Sequence, residues 1–224
     1  MLILAIDTSA AQCAACIFDA HSMRETGRAV LDLGKGHAEH LMAVIEDALS
    51  AAQTDYSSFA RIAVSVGPGS FTGVRVGVST ARGLALALGI PAIGISTLEA
   101  VAAETRETSG NTTVLAAFES VEGALQAALY GPSGEPIFPP AIISLEDALQ
   151  LAETHRPVVA GTAAKRIAEH CDFPLVIGSE RNTADIAIYA RLAATKGDGE
   201  EKPKPLYLRE PDAKPQAGFV LPRA

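Results

Sequence analysis

The sequence predicts an α/β fold. Apolar runs over the first ~100 residues order as strand, strand, strand, helix, strand, helix, strand. Between Val64 and Arg75 an apolar strand passes through a glycine-punctuated turn directly into a long helix. The chain has 224 residues, 48% of them hydrophobic and 20% charged, which supplies enough apolar surface for a core.

Leu2 to Ile6 reads as a buried strand, Asp7-Thr8-Ser9-Ala10 as a polar turn and Gln12 to Phe18 as a second strand. A third strand is expected between Glu25 and Leu31, which makes the start a β-hairpin opening onto a sheet. From His37 to Ala52 the residues Leu41, Val44, Ile45, Ala48, Leu49 and Ala52 recur at the spacing of one helical face. Arg61 to Val66 gives a fourth strand and Ala92 to Ile95 a fifth. Between them the helix Phe71 to Leu88 carries apolar residues on nearly every side, while Gly73, Gly77, Ser79, Thr80 and Gly83 keep it slim. Its own sheet covers one side, so something else is expected on the other.

The second half is less regular. Strands are expected at Val114 to Phe118, Ala124 to Tyr130 and Pro157 to Ala160, and helices at Leu145 to Glu153, Thr162 to His170 and Thr183 to Thr195. Lys196 to Pro205 turns to Gly, Glu, Lys and Pro, the composition of a solvated linker, and the tail from Pro211 is expected along the surface or mobile.

Within the glycine segment, Gly67, Gly69 and Gly73 permit close backbone approach, Pro68 fixes a turn angle, and Ser70 or Thr72 is placed to cap the next helix. The segment lacks the Gly-Lys-Ser/Thr ending of a P-loop and the spacing of a dinucleotide fingerprint. A net charge of -8 argues against the chain gripping nucleic acid alone. The short apolar start lacks the basic flank of a signal peptide, and Leu84 to Ile95 falls short of the roughly 20 residues of a membrane span, so a cytoplasmic protein is expected. Three cysteines make no disulfide framework; Cys13 and Cys16, three apart on a strand, point to opposite faces and read as small buried side chains.

Met1 to Ser9 (Met-Leu-Ile-Leu-Ala-Ile-Asp-Thr-Ser), Gly67 to Arg75, Gly94-Ile95-Ser96-Thr97-Leu98-Glu99-Ala100 and Pro205-Leu206-Tyr207-Leu208-Arg209 together resemble the bacterial TsaB (YeaZ) family, in that family's order. The resemblance implies an actin-like ATPase (ASKHA) fold of two related lobes, the second smaller and degenerate: residues 1–100, then 101–210, with an extended tail at 211–224. It also implies a noncatalytic scaffold role in making N6-threonylcarbamoyladenosine at position 37 of transfer RNA. The implied partners are TsaD, which holds the metal and transfers the threonylcarbamoyl group, and the ATPase TsaE, with transfer RNA met only through the complex. A homodimer is implied in isolation. No cofactor is expected on the chain alone, the joint between subunits being left open for ATP or ADP. Where the catalytic paralogue carries its His-x-x-x-His metal pair, alignment on Leu98-Glu99 puts Thr97 and Val101, which cannot replace imidazole ligands. Many relatives carry Asp-Ala-Arg on the first strand of the second lobe; this chain reads Phe118-Glu119-Ser120, and no Asp-Gly-Gly phosphate loop follows.

Asp7, Thr8 and Ser9 stand where actin-like ATPases position phosphate and metal-bound water. With half the clasp missing, a vestigial turn that hydrogen-bonds its own backbone is preferred. His37 and His40 could share a helical face for a metal, but no ligand set is completed, and capping or interface contacts are favoured. Ser70 lies outside any Gly-x-Ser-x-Gly elbow, against a peptidase. The expected partner face comprises His37, His40, Leu41, Val44, Ala48, Gly73, Val76, Gly77, Thr80, Gly83 and Leu84, on two helices that would meet two from the partner. The enzyme alternative is an actin-like small-molecule kinase with Asp7 as general base.

Overall fold

The computed structural model describes residues 1–197 and 202–208. The first sheet has the order β3-β2-β1-β4-β5, formed by β1 (Leu2–Asp7), β2 (Gln12–Asp19), β3 (Arg24–Asp32), β4 (Phe59–Gly67) and β5 (Ala92–Ser96). β1 pairs antiparallel with β2 and parallel with β4, placing Ala5 opposite Cys16 on one side and Ala63 on the other. Crossover helices α1 (His37–Ala52) and α2 (Phe71–Leu88) follow β3 and β4.

The chain then repeats the plan. β6 (Val114–Glu119), β7 (Leu125–Tyr130) and β8 (Pro136–Ile143) form an antiparallel meander, and α4 (Leu145–His155), β9 (Val158–Ala160) and α5 (Ala164–His170) follow. The order β8-β7-β6-β9 matches β3-β2-β1-β4, with β9 parallel to β6 as β4 is to β1. These are the two related lobes, and the second is smaller: β9 has 3 residues where β4 has 9, and α5 has 7 where α2 has 18.

Between the sheets lie α3 (Thr97–Ser109) and α6 (Ile186–Thr195). A single apolar cluster joins Ile3, Ala5 and Ile95 of the first sheet through Leu98, Val101, Ile188 and Tyr189 to Val114 and Ala116 of the second. The outer faces pack separately, α1 and α2 on Leu4, Ile6, Ile62 and Val64, and α4 and α5 on Leu115, Leu125 and Val159. Alternation along β1 and β2 divides side chains between these cores, and Cys13 and Cys16 fall on opposite sides as their spacing requires.

Two elements have no counterpart in the sequence reading. α3 starts at Thr97 directly after β5, its N-terminus capped by Ser96, whose hydroxyl accepts from Leu98 N at 3.2 Å. Its run crosses residue 100, so the first lobe's last strand and the middle layer are continuous. β8 contains Pro136, Pro139 and Pro140, which mask a strand pattern and are tolerated because β8 is at the sheet edge. The linker expectation is corrected over 202–208: Pro203 is buried and lies beside Gly94, and Leu206 N donates to Val66 O at 2.8 Å. That bond ties the strap to the end of β4. The tail at 211–224 lies outside the described residues.

Candidate functional site

β1 ends on Asp7, and the turn Asp7-Thr8-Ser9 that follows is buried, Asp7 being 3% exposed. Asp7 Oδ1 accepts from Ser9 N at 2.8 Å, from Ser9 Oγ at 2.6 Å and from Ser65 Oγ of β4. Oδ2 accepts from Thr183 Oγ1 at 2.6 Å, and Thr183 in turn shares a 2.6 Å hydrogen bond with the Tyr189 hydroxyl. Three of the chain's own donors thus converge on Oδ1 and a fourth on Oδ2, which fixes the carboxylate inside the protein. Burial, and after it the nearby Asp7 charge, hold the Tyr189 phenol protonated far above its ordinary range.

The glycine segment closes over this turn. Ser70 N donates to Ser9 O at 2.7 Å, and Thr8 Oγ1 donates to Gly73 O at 2.7 Å. A methyl group added at Gly73 would stand 2.0 Å from Thr8 O, and one at Gly77 2.5 Å from Thr8 Oγ1. These glycines let α2 lie directly on the β1 turn. Ser70 caps α2, its hydroxyl accepting from Gly73 N at 3.2 Å. Thr97 Oγ1 donates to Pro68 O at 2.5 Å, tying the same loop to the start of α3, and Val101 one turn on is fully buried.

In the second lobe Glu119 ends β6 as Asp7 ends β1. Its carboxylate pairs with Arg166 at 2.8 Å and its amide donates to Thr162 Oγ1 at 2.9 Å. Among the described residues no cluster of three or more His, Cys, Asp or Glu is placed to hold a metal.

The expected partner face is corrected. Leu41, Val44, Ala48, Gly73 and Gly77 are buried in the first lobe against its own sheet or turn, and His37 is buried as well. An amphipathic stripe is consumed by the surface it covers first, here the strands of its own lobe. His40, Val76, Thr80, Gly83 and Leu84 remain wholly or partly open. Beside them the structure exposes residues that the expected face did not include: Met42 on α1, and on α2 Phe71, Thr72, Ser79 and Leu86, the last 79% exposed. Thr72, Val76, Ser79, Thr80 and Gly83 recur at three- and four-residue spacing, a continuous small and apolar outer stripe.

Ser65, Thr183 and Tyr189 also escaped the sequence reading. A serine between Val64 and Val66 in a buried parallel strand is a local signal of an internal partner. Thr183, 176 positions from Asp7, has none.

A family model described as "TsaD: tRNA N6-adenosine threonylcarbamoyltransferase" matches residues 32–195, well over half of the chain. The TsaB protein of Bacillus subtilis is 32% identical over 163 residues, 71% of this chain and 69% of that protein. The chain belongs to the TsaB (YeaZ) family. The TsaB protein of Escherichia coli is 36% identical over 131 residues, 58% of this chain; that match spans just over half, 55%, of the relative's length. A Pseudomonas aeruginosa structure described as similar to peptidase YeaZ superposes with a TM-score of 0.76 at 24% identity, covering 93% of this chain and 99% of that one. A ROK hexokinase from Thermus thermophilus has a TM-score of 0.51 at 15% identity, over 87% and 98% of the two chains. At such identities the likeness is one of fold: the chain has the actin-like ASKHA architecture.

Proposed function

We propose that this chain is a noncatalytic scaffold and activator subunit of the machinery that makes N6-threonylcarbamoyladenosine at position 37 of transfer RNA. It pairs with TsaD through the outer face of α1 and α2, TsaE joins the pair, and transfer RNA is held by the assembly. Any ATP or ADP sits at the joint between subunits.

The reading rests on the contrast at α2. Its inner side is closed on the β1 turn through Gly73 and Gly77, beside an Asp7 held by Ser9, Ser65 and Thr183. Its outer side leaves Phe71 and Leu86 60% and 79% exposed, with Val76 and Leu84 partly covered. Apolar side chains grouped on one helix are the mark of an interaction surface. Burial of Asp7 at 3% exposure disfavours it as a kinase base, since a base must reach its substrate.

Reconstitution tests the proposal. TsaD, TsaE, transfer RNA and the threonylcarbamoyl-adenylate donor are combined with and without the chain, and with a Val76→Glu variant. Modification should depend on the wild-type chain, and Val76→Glu should abolish both heterodimer and activity while leaving the circular dichroism spectrum unchanged. Full modification in the chain's absence would remove the scaffold role.

A further inference from the structure

At the N-terminal rim of the α2 face, Arg75 lies over one open aromatic ring and beside a second. Its guanidinium carbon is 3.6 Å from the centroid of Phe71 and 5.5 Å from that of Tyr207, and Nε donates to the Tyr207 hydroxyl at 2.7 Å. The rings are tilted by 47° with centroids 6.1 Å apart. Tyr207 is 53% exposed. It reaches α2 because the strap 202–208 is pinned to β4 through Leu206 N and Val66 O.

Among the described residues this cation lacks a counter-ion. The chain carries 26 acidic residues against 18 Lys and Arg, yet Arg75 pairs with no carboxylate among the described residues. α2 holds Arg75 and Arg82 and no Asp or Glu. Beside Arg75 a recess of about 430 Å³ is lined by Ala38, Thr72, Val76, Ser79 and Thr80. The Thr72, Ser79 and Thr80 hydroxyls make no hydrogen bond to the described residues. A guanidinium stacked on Phe71 and anchored at Nε by the Tyr207 hydroxyl is pre-organised, and its two terminal amino groups match a carboxylate as a fork.

We propose that this recess receives an Asp or Glu side chain of the docking protein, with Arg75 as its charge partner and Tyr207 as a positioning residue. The inference rests on the docking reading of the α1 and α2 face. A carboxylate is favoured over a phosphate because Arg75 is the one cation lining the recess, while the net charge of -8 opposes a polyanion.

Affinity of the purified full chain for TsaD, measured by isothermal titration calorimetry at low and high ionic strength, tests the assignment. Arg75→Gln should weaken binding about tenfold at low salt and flatten the salt dependence. Tyr207→Phe, which keeps the ring and removes the anchor, should weaken it about threefold. Arg75→Glu should be rescued by reversing one acidic residue on TsaD to Arg. If Val76→Glu blocks docking while Arg75→Gln stays within about twofold of wild type, the carboxylate seat is overturned and the docking face stands. If Val76→Glu also binds normally, the face itself is wrong and the seat falls with it. Arg75→Gln docking normally but releasing transfer RNA from the complex would replace the carboxylate by a phosphate.

Discussion

Asp7 and Thr183 come from opposite ends of the chain, 176 positions apart, and share a buried 2.6 Å hydrogen bond. It joins the first strand of one lobe to the segment leading into α6, and through Thr183 to Tyr189. The Asp7 carboxylate thereby serves as an internal junction.

Asp7→Ala should therefore cost stability. It strands the Ser65 and Thr183 hydroxyls and the Ser9 amide in a dry site, worth about 3 kcal/mol together, whereas Thr183→Val should cost about 1 kcal/mol. Urea unfolding of both variants measures this, and an Asp7→Ala loss below that of Thr183→Val would contradict the junction.

Gly83 gives the opposite expectation. An added methyl meets nothing within 4 Å, unlike at Gly73 and Gly77. Gly83→Ala should stabilise the isolated chain by about 1 kcal/mol through helix propensity, yet weaken TsaD binding by keeping the partner helix at a distance. Thermal melts and calorimetry read the two effects separately. A stabilised variant that binds TsaD at wild-type strength would take Gly83 out of the contact.

Arg28 of β3 grips both oxygens of Asp185 at 2.7 Å, and Asp185 caps α6 by accepting from Ala187 N. Burial pushes the Asp185 carboxyl up, but the Arg28 hydrogen bonds and the capping amide outweigh it, and it rests below its ordinary value. A depressed acid stabilises the fold above its unfolded pKa of about 4 and loses that contribution as pH falls through the folded value. Both side chains are 37% exposed, so screening limits the effect to about 1 kcal/mol. Arg28→Met should lower stability most near neutral pH, and the gap to wild type should close below about pH 4. A gap that widened in acid would reverse the sign and refute the pair.

Thiol chemistry offers a further check. Burial, with the Asp7 charge second, pushes the Cys13 thiol up to about 11, and Cys16 lies higher still. Cys171 is partly exposed. A disulfide reagent at mildly alkaline pH should label Cys171 alone in the folded chain and all three cysteines in denaturant. Fast labelling of Cys13 without denaturant would contradict its buried strand position.

Much of the first lobe was legible because its elements are punctuated locally. Glycine at both ends marks α2, and the apolar stripe of Leu41, Val44, Ile45 and Ala48 marks α1. α3 was hidden because Ile95 to Thr97 runs from strand to helix with no loop residue between, and β8 because prolines stand in its pattern. At the site, Asp7 and Ser9 announced a turn through their spacing, but Thr183 and Ser65 reach it only through topology. The partner face was misassigned for a related reason: spacing shows that a stripe will be covered, not which surface covers it. Leu41 and Ala48 went to their own sheet, and Met42 and Leu86 stayed outside.

α3 and α6 serve as floor to one sheet and ceiling to the other, one cluster running from Ile3 through Val101 and Tyr189 to Ala116. A cut near residue 110 would thus expose bare apolar strands on each product, and neither piece would keep its shape without the other. Mortared along the midline in this way, the two sheets stand or fall as one block.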